Sequence, residues 1–303
     1  MFEKNEPIGF CLGAGRLALQ VAESAFQKYT QAFFCFTDFL NYRLFCAKFK
    51  EAKKISSFIP LTKLRKILAF FRSNSCTVIC CFGKLPKFSW LSYCFADKLY
   101  KNFAQQLKQT GDDALAKIAL QFLREEGFVA VSVREVVAEI LIRPGFYSGN
   151  FAEVRDQAAL GFALLKLTSP FDFGQSVAVS SSKIVAVEGA EGTDEMLRRV
   201  NRLGFKNCLL VKGVKISQAL ELDLPAIGTI TMENLKKFGF KGLVVEADHT
   251  VCEDFEKTNF LAKKYGLVFS ALAAEDIQEL ILSNSVSKPR IIEAKNFLDS
   301  FPL

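Results

Sequence analysis

The stretch Ile8-Gly9-Phe10-Cys11-Leu12-Gly13-Ala14-Gly15 decides how the chain is read. Its first five residues are apolar or small, the pattern of a strand buried on both faces of a parallel sheet. Gly13 and Gly15 then turn the chain, and Leu17, Leu19, Val21, Ala22 and Ala25 recur at near-helical spacing. Strand, glycine turn and helix open a nucleotide-binding α/β unit. The dinucleotide fingerprint is only half present, because a third glycine is absent and no ribose-binding acid stands about 20 residues on. Gly13, Ala14 and Gly15 therefore admit two readings: a structural turn, or a contact to a phosphate or nucleotide.

Outward from that turn, residues 77–82 (Thr-Val-Ile-Cys-Cys-Phe) read as a second strand ending at Gly83-Lys84. Gly111-Asp112-Asp113 reads as a helix start, with acids favoured at the N-terminus by the dipole, and leads into residues 114–126. Residues 128–133 read as another strand. The run 143–150 (Arg-Pro-Gly-Phe-Tyr-Ser-Gly-Asn) has no period and is rich in turn formers, so a linker is placed there, between domains at 1–142 and 151–303. In the second half, 150–167 reads as a helix, and 176–180 with 183–188 as a hairpin around a serine turn. Helices at 195–203, 232–238 and 254–265 alternate with strands at 207–212, 243–247 and 267–270. Both halves read as α/β.

The 303 residues suffice for two cores, and with half of them hydrophobic and 23% charged the chain is globular. Phenylalanine occurs 31 times and mean hydropathy is +0.19. No apolar span of about 18 residues exists, since Asp38, Asn41 and Arg43 break one candidate and Lys63, Arg65 and Lys66 the other. The start, Met-Phe-Glu-Lys-Asn-Glu-Pro, is acidic where a signal peptide is basic. The expectation is a soluble, cytoplasmic chain. Nine cysteines, an odd number without a Cys-x-x-Cys pair, predict reduced and mostly buried thiols and no zinc site. His249 is the sole histidine, so any Ser-His-Asp or Cys-His mechanism has to run through it. Beside Asp248 and just past a strand, it reads as an exposed loop residue.

Charge is uneven. Residues 43–108 hold fourteen Lys and Arg against Glu51 and Asp97, a balance of +12 that leaves −5 on the rest of a chain whose total is +7. Thirteen Phe lie between Phe33 and Phe103. A basic, Phe-rich segment suits an anionic partner with apolar parts, and Lys63, Arg65 and Lys66 are its expected docking residues. The plainer alternative is a solvated basic face over an ordinary core. Nucleic acid is not expected as a partner, because no recognition motif is present and the second half is acidic.

Carboxylates near strand ends carry the chemical information. Glu188 closes one strand, Glu191-Gly192-Thr193-Asp194 opens a helix, Asp223 sits in Leu-Asp-Leu-Pro-Ala-Ile-Gly, and Glu246 ends a further strand. Acids at strand C-termini point into the crevice where α/β sheets bind ligands. With Lys212, Lys215 and Thr193 they would suit a divalent cation, Mg²⁺ or Mn²⁺, holding a phosphate. Taken singly, each is more often a helix cap or a solvated loop residue; the case rests on their clustering.

Those residues resemble the LpxI-type UDP-2,3-diacylglucosamine pyrophosphatase family. The resemblance is carried by Asp172-Phe173-Gly174-Gln175, by residues 186–199 (Ala-Val-Glu-Gly-Ala-Glu-Gly-Thr-Asp-Glu-Met-Leu-Arg-Arg), by Lys212, by Asp223-Leu224-Pro225-Ala226-Ile227-Gly228 and by Val245-Glu246-Ala247. Gly13-Ala14-Gly15-Arg16-Leu17, Gly83-Lys84 and Gly111-Asp112-Asp113-Ala114-Leu115 fit as well, so the similarity runs the length of the chain. It implies a Rossmann-like N-terminal domain and a catalytic C-terminal domain with the substrate between them. It also implies Mg²⁺-dependent hydrolysis of a UDP-linked diacylated glucosamine to UMP and lipid X, a step of lipid A synthesis in Gram-negative bacteria. The aspartate of the Asp-Leu-Pro motif is the family's essential acid, which maps onto Asp223. Asp223 would serve as metal ligand or general base, and Glu188, Glu191 and Asp194 become further metal-ligand candidates. Gly13, Ala14, Gly15, Gly83, Lys84, Asp112, Gln175, Thr193, Lys212, Lys215 and Gln218 become substrate-binding candidates. A diacylated substrate implies peripheral association with the inner membrane, and a homodimer is an open expectation. The loop before Asp223 departs from the family pattern, with Ala219 in place of an Asp and Glu221 in place of an Arg. That departure keeps a rival in view, a non-catalytic protein binding a nucleotide- or lipid-linked sugar.

Overall fold

The computed structural model describes residues 6–84, 96–106, 112–171, 173–181, 183–216, 219–285 and 287–299. The chain divides into two compact units, Met1–Glu139 with Ala219–Asp223, and Ile140–Gln218 with Leu224–Leu303.

In the first unit, β1 (Ile8–Leu12), β2 (Ala32–Phe36), β3 (Ser56–Phe58), β4 (Val78–Phe82) and β5 (Val129–Val131) form an all-parallel sheet in the order β3-β2-β1-β4-β5. Its helices are α1 (Arg16–Lys28), α2 (Phe39–Lys48), α3 (Leu64–Ser73), α4 (Lys98–Gln106), α5 (Asp112–Glu125) and α6 (Val133–Val136). Since β1 lies between β2 and β4, the strand order reverses there, and the crevice past their C-terminal ends is where such sheets hold ligands.

Alternation along the strands assigns the faces. On one, Phe10 stacks on Phe34 at 5.3 Å, Phe45 of α2 packs on Phe34 and Phe36 at 5.0 and 5.2 Å, and Phe26 of α1 joins them. On the other, Cys35 and Ile79 meet Ile67, Leu68 and Phe71 of α3 and Leu123 of α5. Part of the Phe-rich segment is therefore core rather than surface. Phe34, Phe36, Phe45 and Phe71 are fully buried, and each contributes about 1.5–3 kcal/mol of hydrophobic stabilisation. Phe88 and Phe95 lie outside the described residues. Lys63, Arg65 and Lys66 sit at the start of α3, whose apolar residues Leu64, Ile67, Leu68 and Phe71 all turn inward. The eight described cysteines are free thiols.

In the second unit, β6 (Gly145–Ser148), β7 (Ser176–Ser180), β8 (Lys183–Val187), β9 (Leu209–Lys212), β11 (Gly242–Glu246) and β13 (Val268–Leu272) form a mixed sheet ordered β6-β13-β11-β9-β7-β8. A two-stranded pair, β10 (Ala226–Ile227) with β12 (Val251–Cys252), lies apart from it. The helices are α7 (Arg155–Leu167), α8 (Thr193–Arg202), α9 (Thr229–Phe238), α10 (Phe255–Tyr265), α11 (Ala274–Ser283) and α12 (Ser287–Asp299). One face of the sheet packs α8, α9 and α10 through Met196, Leu197, Met232, Leu235 and Leu261. The opposite face packs α7 and α11 through Ala158, Phe162, Ile277 and Leu280.

The serine-turn hairpin expected around residues 181–182 is β7–β8, antiparallel as its alternation requires. The turn-rich run 143–150 instead contains β6, which pairs antiparallel with β13. Four residues flanked by glycines suffice on a sheet edge, where a strand needs a partner on one side only. His249 is half-buried, with Nδ1 3.1 Å from the Ala247 carbonyl, and is less exposed than its loop setting suggested.

Candidate functional site

The glycine turn after β1 and the end of β4 are fastened together by backbone. Gly13 N donates to Phe82 O at 2.8 Å, Ala14 N to Lys84 O at 2.9 Å, and Lys84 N returns a bond to Ala14 O at 2.9 Å. This closeness explains the residue types. A Cβ on Gly13 would stand 2.5 Å from Lys84 O, and one on Gly83 would stand 2.8 Å from the Ala18 Cβ. Gly15 takes φ +103° and caps α1 without any side-chain acceptor, and its own Cα faces open space. The N-terminus of α1 thus begins beside open space at Gly15, the setting in which helix ends receive anions. Gly13, Ala14, Gly15, Gly83 and Lys84 are brought together as the sequence led one to expect. Asp112 begins α5, but its side chain lies outside the described residues.

One residue that sequence reasoning missed completes this turn. The Asn41 side-chain amide on α2 is buried and donates to both Gly13 O and Gly15 O at 3.0 Å. The available signal was a carboxamide at the third helical position after the Asp38 cap, between the apolar residues Leu40 and Tyr42.

In the second unit, hairpin geometry gathers another group. Ser176 pairs with Lys212 in the β7–β9 register, so the residues at those strand ends are neighbours across the sheet. Thr193, the first residue of α8, donates through Oγ1 to Glu188 Oε1 at 2.8 Å. With its proton so used, Thr193 Oγ1 can only accept from its other partners. Lys212 Nζ donates to it at 3.0 Å, and Ser176 Oγ lies 3.3 Å away. Lys212 and Lys215 are both buried, an unusual place for lysine and one that calls for anionic company. Glu188 Oε2 is buried with no hydrogen-bond partner among the described residues, an acceptor position that a ligand donor could fill. Gln175 closes the group, its carbonyl accepting from Gly213 N at 3.1 Å. Gln218 lies outside the described residues.

The turn after Lys212 is clamped. Glu246, ending β11, is 2% exposed, accepts from Lys166 Nζ at 2.9 and 3.1 Å, and accepts from Val214 N at 3.0 Å. Lys166 Nζ also donates to Val214 O at 3.0 Å, and Ser169 Oγ accepts from Ile216 N at 2.8 Å. Gly213 leaves space for this carboxylate, since a Cβ there would stand 2.8 Å from Glu246 Oε2. Lys166 and Ser169 on and after α7 carried no sequence signal, being an ordinary surface-type lysine and a small polar residue at a helix end.

Two adjoining stretches of the chain match the two domains of one known protein. Residues 7–140 match the LpxI N-terminal domain and residues 147–270 the LpxI C-terminal domain. A UDP-2,3-diacylglucosamine pyrophosphatase LpxI of Caulobacter vibrioides is 30% identical over 228 residues, spanning 69% of this chain and 79% of that protein. The chain belongs to the LpxI family.

The LpxI-type Asp-Leu-Pro motif begins at Asp223, and the segment Ala219–Asp223 groups with the first unit although its flanks belong to the second. Leu222 N and Asp223 N both donate to Ala219 O at 3.1 Å, forming a tight turn, and Ser132 Oγ donates to Leu220 O at 2.6 Å. Ala219, which stands where the resemblance leads one to expect an acid, is buried. A methyl group suits that position, whereas a carboxylate would need partners there.

Two of the acids expected to hold a metal have partners of their own. Glu191 pairs with Arg199 at 2.6 Å; its own backbone N–H and then Arg199 hold its carboxyl below the usual carboxylate range. Asp194 accepts from Asn234 at 2.8 Å. Both follow the turn at Gly189, Asp194 in the first turn of α8 and Glu191 just before it, where acids offset the helix dipole. No group of three or more His, Cys, Asp or Glu able to hold a metal occurs among the described residues. Glu188, Glu191 and Asp194 therefore do not by themselves form such a group.

Proposed function

We propose that this chain hydrolyses the pyrophosphate of a UDP-linked, 2,3-diacylated glucosamine, releasing UMP and the diacylglucosamine 1-phosphate of lipid A synthesis. The observation that carries this reading is the match of both domains, in order, to LpxI, with 30% identity to a protein of that activity.

The chemistry asks for three things: charge compensation for a diphosphate, a base for water, and a stabilised phosphate leaving group. Lys212 and Lys215 supply positive charge, with Thr193 and Glu188 fixing the Lys212 ammonium so that little reorganisation is needed during the reaction. The α1 amides past Gly15 and the Lys84 ammonium offer a second anion site, suited to a nucleotide phosphate. Asp223 takes a proton from the attacking water. The water oxygen bonds to one phosphorus, the bridging P–O bond breaks, and the bridging oxygen leaves as phosphate. A Mg²⁺ or Mn²⁺ ion bound with the diphosphate would add to this charge compensation. A substrate with two acyl chains resides in a bilayer, so the enzyme works at a membrane surface. Peripheral attachment serves this, and no helix among the described residues is long and apolar enough to cross a membrane.

The test is UMP release from the diacylated UDP-sugar by purified protein, with Asp223→Ala beside it. Wild type turns over and the variant binds without turning over. Binding with no turnover by either protein would favour the non-catalytic alternative that the altered loop at Ala219 and Glu221 allows.

A further inference from the structure

We propose that the exposed face of α2 is the surface by which this protein docks on an anionic bilayer; the inference rests on the reading of its substrate as a diacylated lipid. Helix α2 buries Asn41, Phe45 and Cys46 against the sheet and turns Phe39, Leu40 and Leu44 outward, 53%, 64% and 47% exposed. Leu40 and Leu44 are helix neighbours four apart, and Phe39, Arg43 and Ala47 form the adjoining row, so the apolar side chains make one contiguous face. Single exposed leucines are ordinary on a protein surface, but three large apolar groups on one ten-residue helix are a patch.

The surroundings specify the partner. Between Phe39 and Lys54 the chain carries Arg43, Lys48, Lys50, Lys53 and Lys54 against the single acid Glu51. The Arg43 guanidinium lies over the Phe39 ring, 6.0 Å from its centroid, and Lys48 pairs with Glu23 at 2.7 Å. Lys50, Lys53 and Lys54 follow on the next 3₁₀ turn. Apolar side chains at the centre with long cationic ones around them suit the acyl boundary and the anionic headgroups of a bilayer respectively. Helix α3 offers only half of this. Arg65, Lys66 and Arg72 are exposed, but Leu64, Ile67, Leu68 and Phe71 are spent on the core. Position supports α2 as well, because its Asn41 is bonded to the carbonyls of Gly13 and Gly15. A lipid headgroup drawn a short way out of the bilayer beside α2 would meet the phosphate-binding turn.

The experiment is co-sedimentation of the full chain with phosphatidylethanolamine vesicles containing about one-third phosphatidylglycerol, and with pure phosphatidylcholine vesicles. Wild type should pellet with the former, less so as salt rises, and not with the latter. Leu40→Glu with Leu44→Glu should lower partitioning by about a hundredfold, roughly tenfold for each half-buried leucine lost. Leu40→Ala with Leu44→Ala should act in the same direction without added charge. Both pairs should leave melting temperature and turnover of detergent-dispersed substrate unchanged. Arg65→Glu with Lys66→Glu on α3 should matter much less. If the α2 variants pellet as wild type does, the proposal is wrong. It is equally wrong if they pellet normally yet lose function in cells, an outcome that would assign the face to a protein partner. Wild type that ignores both vesicle types would refute the membrane reading itself, while UMP release in detergent would report separately on the enzyme.

Discussion

Replacing Glu246 by Gln is the sharpest probe of the second unit, because the shape is kept while the charge goes. Glu246 has a side chain 3% exposed and Lys166 one 25% exposed. Two ammonium contacts, at 2.9 and 3.1 Å, and one from Val214 N, at 3.0 Å, converge on the carboxylate. A glutamine oxygen can still accept one of these, but its NH₂ group accepts none and faces donors instead. Removing one member of a fully buried pair destabilises by about 3–5 kcal/mol, and a bond to a charged group is worth about 1.5–3 kcal/mol. Lys166 is a quarter exposed and can draw in water, which places the expected loss near 2–3 kcal/mol. For a unit of this size that lowers Tm by about 5–10 °C, readable by calorimetry. The turn that Glu246 holds also carries Lys215, so turnover should fall by at least about tenfold, equivalent to about 1.4 kcal/mol of transition-state stabilisation. Glu246→Leu with Lys166→Met removes both charges and should recover part of the stability, but not the activity, since the Val214 amide stays unpaired. A Glu246→Gln protein that melts within about 1 °C of wild type and turns over normally would refute the argument that this ion pair shapes the turn.

Three further outcomes follow from other parts of the molecule. Asn41→Ala removes both bonds to Gly13 O and Gly15 O, so the KM for the UDP-sugar should rise by about tenfold with kcat little changed; an unaltered KM would make the glycine turn purely structural. Burial pushes the Cys76 and Cys252 thiols up to about 12, and Cys80 higher still. Such thiols ionise near pH 8.5 only when unfolded, so their contribution is complete below that pH and is lost as pH rises toward 12, by about 2 kcal/mol per thiol at pH 10. Urea midpoints that stay level from about pH 8 to 10 would contradict this. Finally, Mg²⁺ or Mn²⁺ titrated into substrate-free protein should give no saturable heat, whereas tight binding would restore a carboxylate site that the described residues do not form.

What could be read in advance depended on whether a local pattern had one physical meaning. β1, β4 and the β7–β8 hairpin were legible, because apolar runs bounded by glycine, or alternating residues around a serine turn, have few other uses. β2 was not. Its Ala-Phe-Phe-Cys-Phe run is as apolar as β1, but it lies within a lysine-rich segment where aromatic side chains suit either a core or a lipid surface. The sheet resolves the ambiguity by placing Phe34 and Phe36 against Phe10 and Phe45. β6 escaped notice for the opposite reason, since four residues among glycines and a proline hold no period to detect.

The site divides along the same line. Gly13 and Gly83 announce themselves because only glycine lets the two turns approach so closely, and the absence of a Cβ is visible in a sequence. Glu188, Thr193 and Lys212 meet because β9 is hydrogen-bonded to β7 and β7 to β8, a tertiary pairing that strand patterns alone do not specify. For Glu191 and Asp194 the spacing alone cannot choose, because an acid in or just before a helix's first turn answers to the helix dipole as readily as to a cation. Lys166 and Glu246 are 80 residues apart and each has an innocuous setting in the sequence. Only the buried distance between them turns a surface-type lysine into the anchor of the turn that carries Lys215. Residues that touch a ligand are constrained by its chemistry and can be named from type and spacing. Residues that position them are constrained by burial and by unpaired backbone, which become visible only once the chain has folded.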